Sequence, residues 1–237
     1  MEKRIILLVT QNQHKVQEIF TMLSEFAPES TPAYQVISLK SLSKVPAIIE
    51  EGKTFKENSF SKNASLLSWF YTEGVEEFWK VFPSGKGYLL SDDSGLEVDA
   101  LGGAPGVYSA RYAALESGVP GNSTDISNNA KLLRDLESVS LQDRIARFHC
   151  VLSLTEVDAN VDMEDLLERT EFFEGVCEGR IAFEPQGKNG FGYDPLFIPE
   201  NYHVSFAELG DTIKNGISHR SKALRSFVLF FTQLAKG

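Results

Sequence analysis

Five consecutive apolar residues, Ile5-Ile6-Leu7-Leu8-Val9, run straight into a segment whose apolar positions recur at helical spacing. An unbroken run of β-branched residues and leucines has no polar side to offer water, so it predicts a strand buried on both faces. Val16, Ile19, Phe20, Leu23 and Phe26 then share one helix face, with Lys15, Gln17 and Glu18 on the other. The chain therefore opens strand–turn–helix, which commits it to a sheet covered by helices. Between the two lies the polar turn Thr10-Gln11-Asn12-Gln13-His14-Lys15. Thr10 and Asn12 can hold such a turn, and the helix N-terminus behind it turns free amides and a positive dipole end toward an anion.

Further along, residues 36–39 read as a short strand. Thr54-Phe55-Lys56-Glu57 fits a capping box, with Phe60, Ala64 and Leu67 continuing an apolar stripe. Glu57 is the reciprocal acceptor of that box and needs no metal to explain it. Residues 88–90 feed a strand that closes at Ser91-Asp92-Asp93-Ser94-Gly95, and residues 102–106 form a loop. Residues 123–136 are expected as a helix, with Ile126, Ala130, Leu133 and Leu136 toward the core. Phe148, Cys150, Leu152 and Leu154 alternate as in a half-buried strand. Another strand is expected over 175–183, and a final helix over 221–234 carries Leu224, Phe227, Val228 and Phe231. Segments near 72–87 and 157–172 read as hairpin or loop extensions. The fold class is α/β, a long mixed β-sheet flanked by helices.

With 237 residues and a formal net charge of -10, the chain lacks the basic surface that a nucleic acid polymer requires. A local nest of amides and lysines, with a divalent cation, can still hold a small anion. Its two cysteines, Cys150 and Cys177, form no CxxC pair, and Cys150 sits in an apolar run that predicts a buried thiol. No run approaches a membrane span, and the N-terminal apolar stretch is too short for a signal-peptide core. A reduced, cytoplasmic setting is the expectation.

Four segments carry chemistry. Lys15 adds a point charge one turn into the first helix. Asp92 and Asp93 are neighbours on a strand, so they point to opposite faces and one of them enters any given pocket. Mg2+ takes oxygen ligands, commonly one or two carboxylates plus phosphates and water, and Glu50 or Glu51 could supply a second carboxylate. Lys62 can reach a phosphate from another side. In the stretch from Gly187 to Pro195, glycines permit close backbone approach while Phe191 and Tyr193 offer stacking faces. Lys214 and Ser218-His219-Arg220 precede the last helix, and an arginine fork suits a base carbonyl or a phosphate. Taken singly, each segment also has a purely structural reading.

Together they resemble the inosine triphosphate pyrophosphatase family. The matching pieces are Thr10-x-Asn12-x-x-Lys15-x-x-Glu18, Thr54-Phe55-x-Glu57-Asn58, and Ser91-Asp92-Asp93-Ser94-Gly95-Leu96. They continue through Gly102-Gly103-x-Pro105-Gly106-x-Tyr108-Ser109-Ala110-Arg111-Tyr112, Phe148-His149-Cys150, Gly190-Phe191-Gly192-Tyr193-Asp194-Pro195 and Lys214-Asn215-x-Ile217-Ser218-His219-Arg220. The resemblance spans nearly the whole chain. It implies two lobes around a central cleft, a homodimer, and Mg2+-dependent conversion of deaminated purine triphosphates (ITP, dITP, XTP) to monophosphate and pyrophosphate. Carried over, Thr10, Gln11, Asn12, Gln13, His14 and Lys15 hold the triphosphate, with Lys62 and Lys214 adding charge. Asp93 is the catalytic carboxylate and a metal contact, Lys15 assists it, and Glu50, or its neighbour Glu51, is the second metal ligand. Ser94 touches substrate; Phe191, Gly192, Tyr193 and Asp194 line the nucleoside pocket; His219 and Arg220 read the purine. Alternatives are a related pyrophosphatase for other modified nucleotides and a non-catalytic nucleotide-binding protein.

Overall fold

The computed structural model describes residues 4–26, 34–48, 50–118 and 120–234. Its elements run β1 (Arg4–Val9), α1 (Gln13–Phe26), β2 (Tyr34–Ser38), α2 (Phe55–Thr72), α3 (Val75–Val81), β3 (Lys86–Val98), α4 (Ala114–Ser117) and α5 (Asp125–Asp135). They continue with β4 (Ile145–Asp158), α6 (Met163–Glu168), β5 (Glu171–Ile181), β6 (Phe197–Pro199), α7 (Phe206–Ile217) and α8 (His219–Leu234). The strands form one mixed sheet in the order β2-β1-β3-β4-β5-β6. β1 pairs in parallel with both β2 and β3, while β6 pairs antiparallel with β5. Having a partner strand on each side, β1 buries Ile6 through Val9 completely, as its unbroken apolar run requires.

The chain divides into two compact units. The first comprises Met1–Asp93, Val151–Glu174 and Ala223–Gly237. Its core gathers Leu7 and Val9 of β1, Leu66, Leu67 and Phe70 of α2, Leu89 of β3, and Phe78, Val81 and Phe82 in and after α3. The second comprises Ser94–Cys150 and Gly175–Lys222, around Leu96, Val98, Leu132, Phe148, Ile181, Tyr193, Phe197 and Phe206.

Several expectations change. β3 does not close at Asp92-Asp93 but runs on to Val98, so the acidic pair lies within a strand. Residues 72–87 are not a hairpin: they hold α3, whose Phe78 packs edge-on against Phe70 and Tyr71. An aromatic at this density makes the extension part of the core. The segment 157–172 carries α6, which buries Leu166 in the same core. On α2 the buried face is Phe55, Asn58, Ser59, Lys62, Asn63, Leu66, Leu67 and Phe70, so Phe60 and Ala64 lie at its margin. On α5, Ile126 is 83% exposed and Ala130 is exposed, because Asn128 and Asn129 occupy the inner face. β4 alternates as expected only up to Cys150; from Val151 to Thr155 every residue is buried.

Candidate active site

In the first unit, the register Val9↔Ser91 ends β1 level with the acidic pair of β3. The turn after β1 is closed by Asn12, whose Oδ1 accepts from the amides of His14 (2.9 Å) and Lys15 (3.3 Å), while its own amide donates to Thr10 Oγ1. Asn12 is thus the N-cap of α1. Gln13 Nε2 donates to the Gln11 carbonyl, and Gln11 through His14 remain exposed. One turn in, Lys15 Nζ meets Asp92 Oδ1 at 2.5 Å.

α2 serves the other carboxylate. Its capping box is complete: Thr54 accepts from the Glu57 amide, and Glu57 accepts from the Thr54 amide. Lys62, buried on this helix, donates to Asp93 Oδ1 (2.8 Å) and to the Asp92 carbonyl (3.0 Å), and stands 3.4 Å from Glu50 Oε1. Burial pulls the Lys62 pKa down, but attraction to Asp93 and then Glu50, with the Asp93 hydrogen bond, holds it above its ordinary value. Asp92 and Asp93 therefore face two different helices, as strand alternation demands.

Glu50 and Asp93 converge on the Lys62 ammonium; Glu50 and Glu51 are both exposed. Among the described residues, no group of three His, Cys, Asp or Glu is placed to hold a metal by itself. A hard cation here would take the Glu50 and Asp93 oxygens and complete its shell from phosphate and water, the habit of Mg2+. Lys15 pairs with Asp92, and Lys62 is shared by Asp93 and Glu50.

The second unit holds the remaining candidates. Arg220, fully buried in the first turn of α8, donates from Nη2 to Ser94 Oγ (2.8 Å). His219 stacks on Phe148, with centroids 4.7 Å apart and planes 12° from parallel. Lys214 Nζ contacts Asp194 Oδ2 at 2.6 Å and lies 4.6 Å from the centroid of Phe191, which is half-buried. Lys214 thus balances Asp194 within this unit. Tyr193 does not offer a free face. Its ring is buried in the core, and its hydroxyl donates to the Ser109 carbonyl (2.9 Å), with burial pushing its pKa up. Asp194 also accepts from the Phe191 amide, and Gly192 donates to Asp125 Oδ2, so these two loop amides already have acceptors.

With that geometry in place, the comparisons decide the lineage. Residues 6–230 match the model of the Ham1 family. This chain belongs to the Ham1 family. It is 41% identical over 223 residues to a dITP/XTP pyrophosphatase of Rhodopirellula baltica, covering 94% of this chain and 90% of that one. The structure of a HAM1 protein from Coxiella burnetii aligns with a TM-score of 0.73 and 36% identity, over 97% of this chain and 99% of that one. A nucleoside-triphosphatase / dITP/XTP pyrophosphatase from Mycobacterium abscessus aligns with a TM-score of 0.63 and 30% identity, over 94% and 97%.

In this Ham1-family chain, Asn58, part of a matching motif with no role given to it, belongs to the site. Its Nδ2 donates to Asp93 Oδ2 (3.1 Å) and its Oδ1 accepts from the Gly52 amide (2.7 Å). A Cβ on Gly52 would sit 2.8 Å from that Oδ1, so glycine is required for the approach. The signal was available, since Asn58 lies four residues before Lys62 and so shares its helix face. Asp92 was quoted but given no role; its role is to pair Lys15.

Proposed function

We propose that the chain hydrolyses deaminated purine nucleoside triphosphates to the monophosphate and pyrophosphate, removing them from the nucleotide pool. The observation that carries this reading is the buried set at β3 of a Ham1-family chain. Asp93 is held by Lys62 and Asn58, and the Lys15–Asp92 pair stands one residue away. The relatives named dITP/XTP pyrophosphatase support the substrate class.

Asp93 orients the attacking water and takes its proton as the water adds to the α-phosphorus. Lys15 and Lys62 stabilise negative charge on the polyphosphate as it shifts to the departing pyrophosphate. Glu50 and Asp93 would hold Mg2+, which when bound supplies Lewis-acid neutralisation of the phosphate oxygens. In the second unit, Phe191 offers the aromatic face for the base, and Arg220 offers donors for a carbonyl at position 6. The Phe191 and Gly192 amides are engaged elsewhere, so this reading rests on the guanidinium. Adenine presents an amino donor where hypoxanthine and xanthine present an acceptor, and sites of this kind reject the mismatched base by roughly 10⁴-fold. A homodimer and a cytoplasmic location are part of the same proposal; among the described residues no helix is long and apolar enough to cross a membrane.

The test is a nucleotide panel with Mg2+, scoring pyrophosphate against orthophosphate. Pyrophosphate from ITP, dITP and XTP, little from ATP, and a reversible stop on chelation are expected. Orthophosphate as the sole product, or equal rates on ATP, would sink the reading.

A further inference from the structure

Two side chains of α5 hold one glycine of the Phe191 loop by both of its backbone groups. Asp125 Oδ2 accepts from the Gly192 amide (2.7 Å), and Asn129 Nδ2 donates to the Gly192 carbonyl (3.0 Å). They are four residues apart, so they project from one face of the helix. Thr124 caps that helix, and Asn128 ties it down through the Ala113 amide and the Ala110 carbonyl. Gly192 has φ +63°, a left-handed conformation, and nothing stands near the position a Cβ would take. The turn is therefore set by its backbone and by this grip.

Asn129 bears a cost for that contact. It is only 7% exposed, and its Oδ1 is buried with no hydrogen-bond partner among the described residues. A buried amide with an unmet acceptor is unfavourable for folding alone. On the other side of the same turn, Asp194 accepts from the Phe191 amide and holds Lys214 over the Phe191 ring.

We infer that Asp125 and Asn129 are specificity-determining positioning residues: they fix the Phe191 face against which the purine is read. This deepens the proposed function and rests on it. The pair acts through Gly192 and takes no part in the chemistry at Asp93.

The experiment compares Asn129→Leu, Asp125→Ala and Asp125→Asn with wild type on dITP, XTP and dATP. Thermal melting is followed alongside. Asn129→Leu and Asp125→Ala should each raise KM for dITP and XTP roughly tenfold, the effect of about one hydrogen bond, with kcat nearly unchanged. Preference over dATP should fall with it. Asp125→Asn, which keeps an acceptor oxygen for the Gly192 amide, should restore most of the wild-type KM. Asn129→Leu gives up the bond to Gly192 together with the unmet Oδ1, so it should melt close to wild type, and its kinetic defect cannot be ascribed to misfolding. Unchanged KM and selectivity in both disrupting variants overturn the inference, as does a parallel loss of kcat and melting temperature. A wild-type protein that turns over none of these nucleotides takes the functional reading down first, and this inference with it.

Discussion

Asp93 in the first unit and Asp194 in the second are both buried carboxylates paired with a buried lysine, yet they are built in opposite ways. Asp93 lies within a strand, and its partners Lys62 and Asn58 come from a capped helix of 18 residues. Asp194 lies in a turn, grips the amide of its own loop, and meets Lys214 from a helix interrupted at Gly210. Groups that must hold a reacting centre gain from regular elements, whose backbones are fixed by their own hydrogen bonds. A recognition loop can be held by side-chain contacts to its backbone and adjusted without disturbing the chemistry. The contrast implies that substitutions in the first set act on kcat and those in the second on KM and selectivity.

The largest expected effect is on the strand carboxylate. Asp93→Asn should lower kcat by about 10³-fold while the protein still folds cooperatively, since it removes the general base and little volume. Turnover near wild type, measured as pyrophosphate release, would strip Asp93 of its role and end the contrast. Lys62→Met comes next. It leaves Asp93 and Glu50 without their common cation, and removing one partner of a buried pair costs roughly 3–5 kcal/mol. Urea unfolding should show that loss, and an unchanged midpoint would mean the carboxylates are balanced elsewhere.

A smaller effect is expected in the second unit. Arg220→Lys keeps the charge but loses the planar fork, so preference for XTP over ATP should fall about 10- to 100-fold with kcat on XTP largely kept. If selectivity stays and kcat collapses, the division of labour between the two sets is wrong. The smallest effect lies away from both, on α3. Glu77 bonds Lys80 and then the Ser43 hydroxyl and amide, which lowers its pKa from 4.5 to about 2. A lowered carboxylate pKa gives stability that is full above the ordinary value and lost as pH falls toward the folded one. Glu77→Gln should therefore flatten stability between those two values without changing kcat or KM at neutral pH. An identical acid profile in both proteins would show that α3 is not tied down by this contact.

The β1–α1 opening, the capping box at Thr54 and Glu57 and the final apolar helix were legible because each is written in residues close together in the chain. Strand burial follows from an unbroken apolar run, and a cap from a fixed four-residue spacing, so neither needs a distant partner to be recognised. The candidate residues Lys15, Asp93 and Arg220 stood out for the same reason, through their neighbours in sequence.

What failed, on α2 and α5, was the assumption that each apolar residue of the stripe faces inward. On α2 the inner face includes Asn58, Ser59, Lys62 and Asn63, and on α5 it includes Asn128 and Asn129 while Ile126 faces water. A buried polar side chain is tolerable only when a partner meets it, and partners such as Asp93, Thr155, Ala110 and Gly192 lie 18 to 92 residues away. Periodicity along one helix carries no trace of them. The sequence determined most of the elements, though not α3 or α6, and which charged groups are available. The tertiary structure alone decided that Lys15 takes Asp92, that Lys62 and Asn58 take Asp93, and that Gly192 is held from α5. Pairing depends on register and on helix rotation about the sheet, which long-range packing sets.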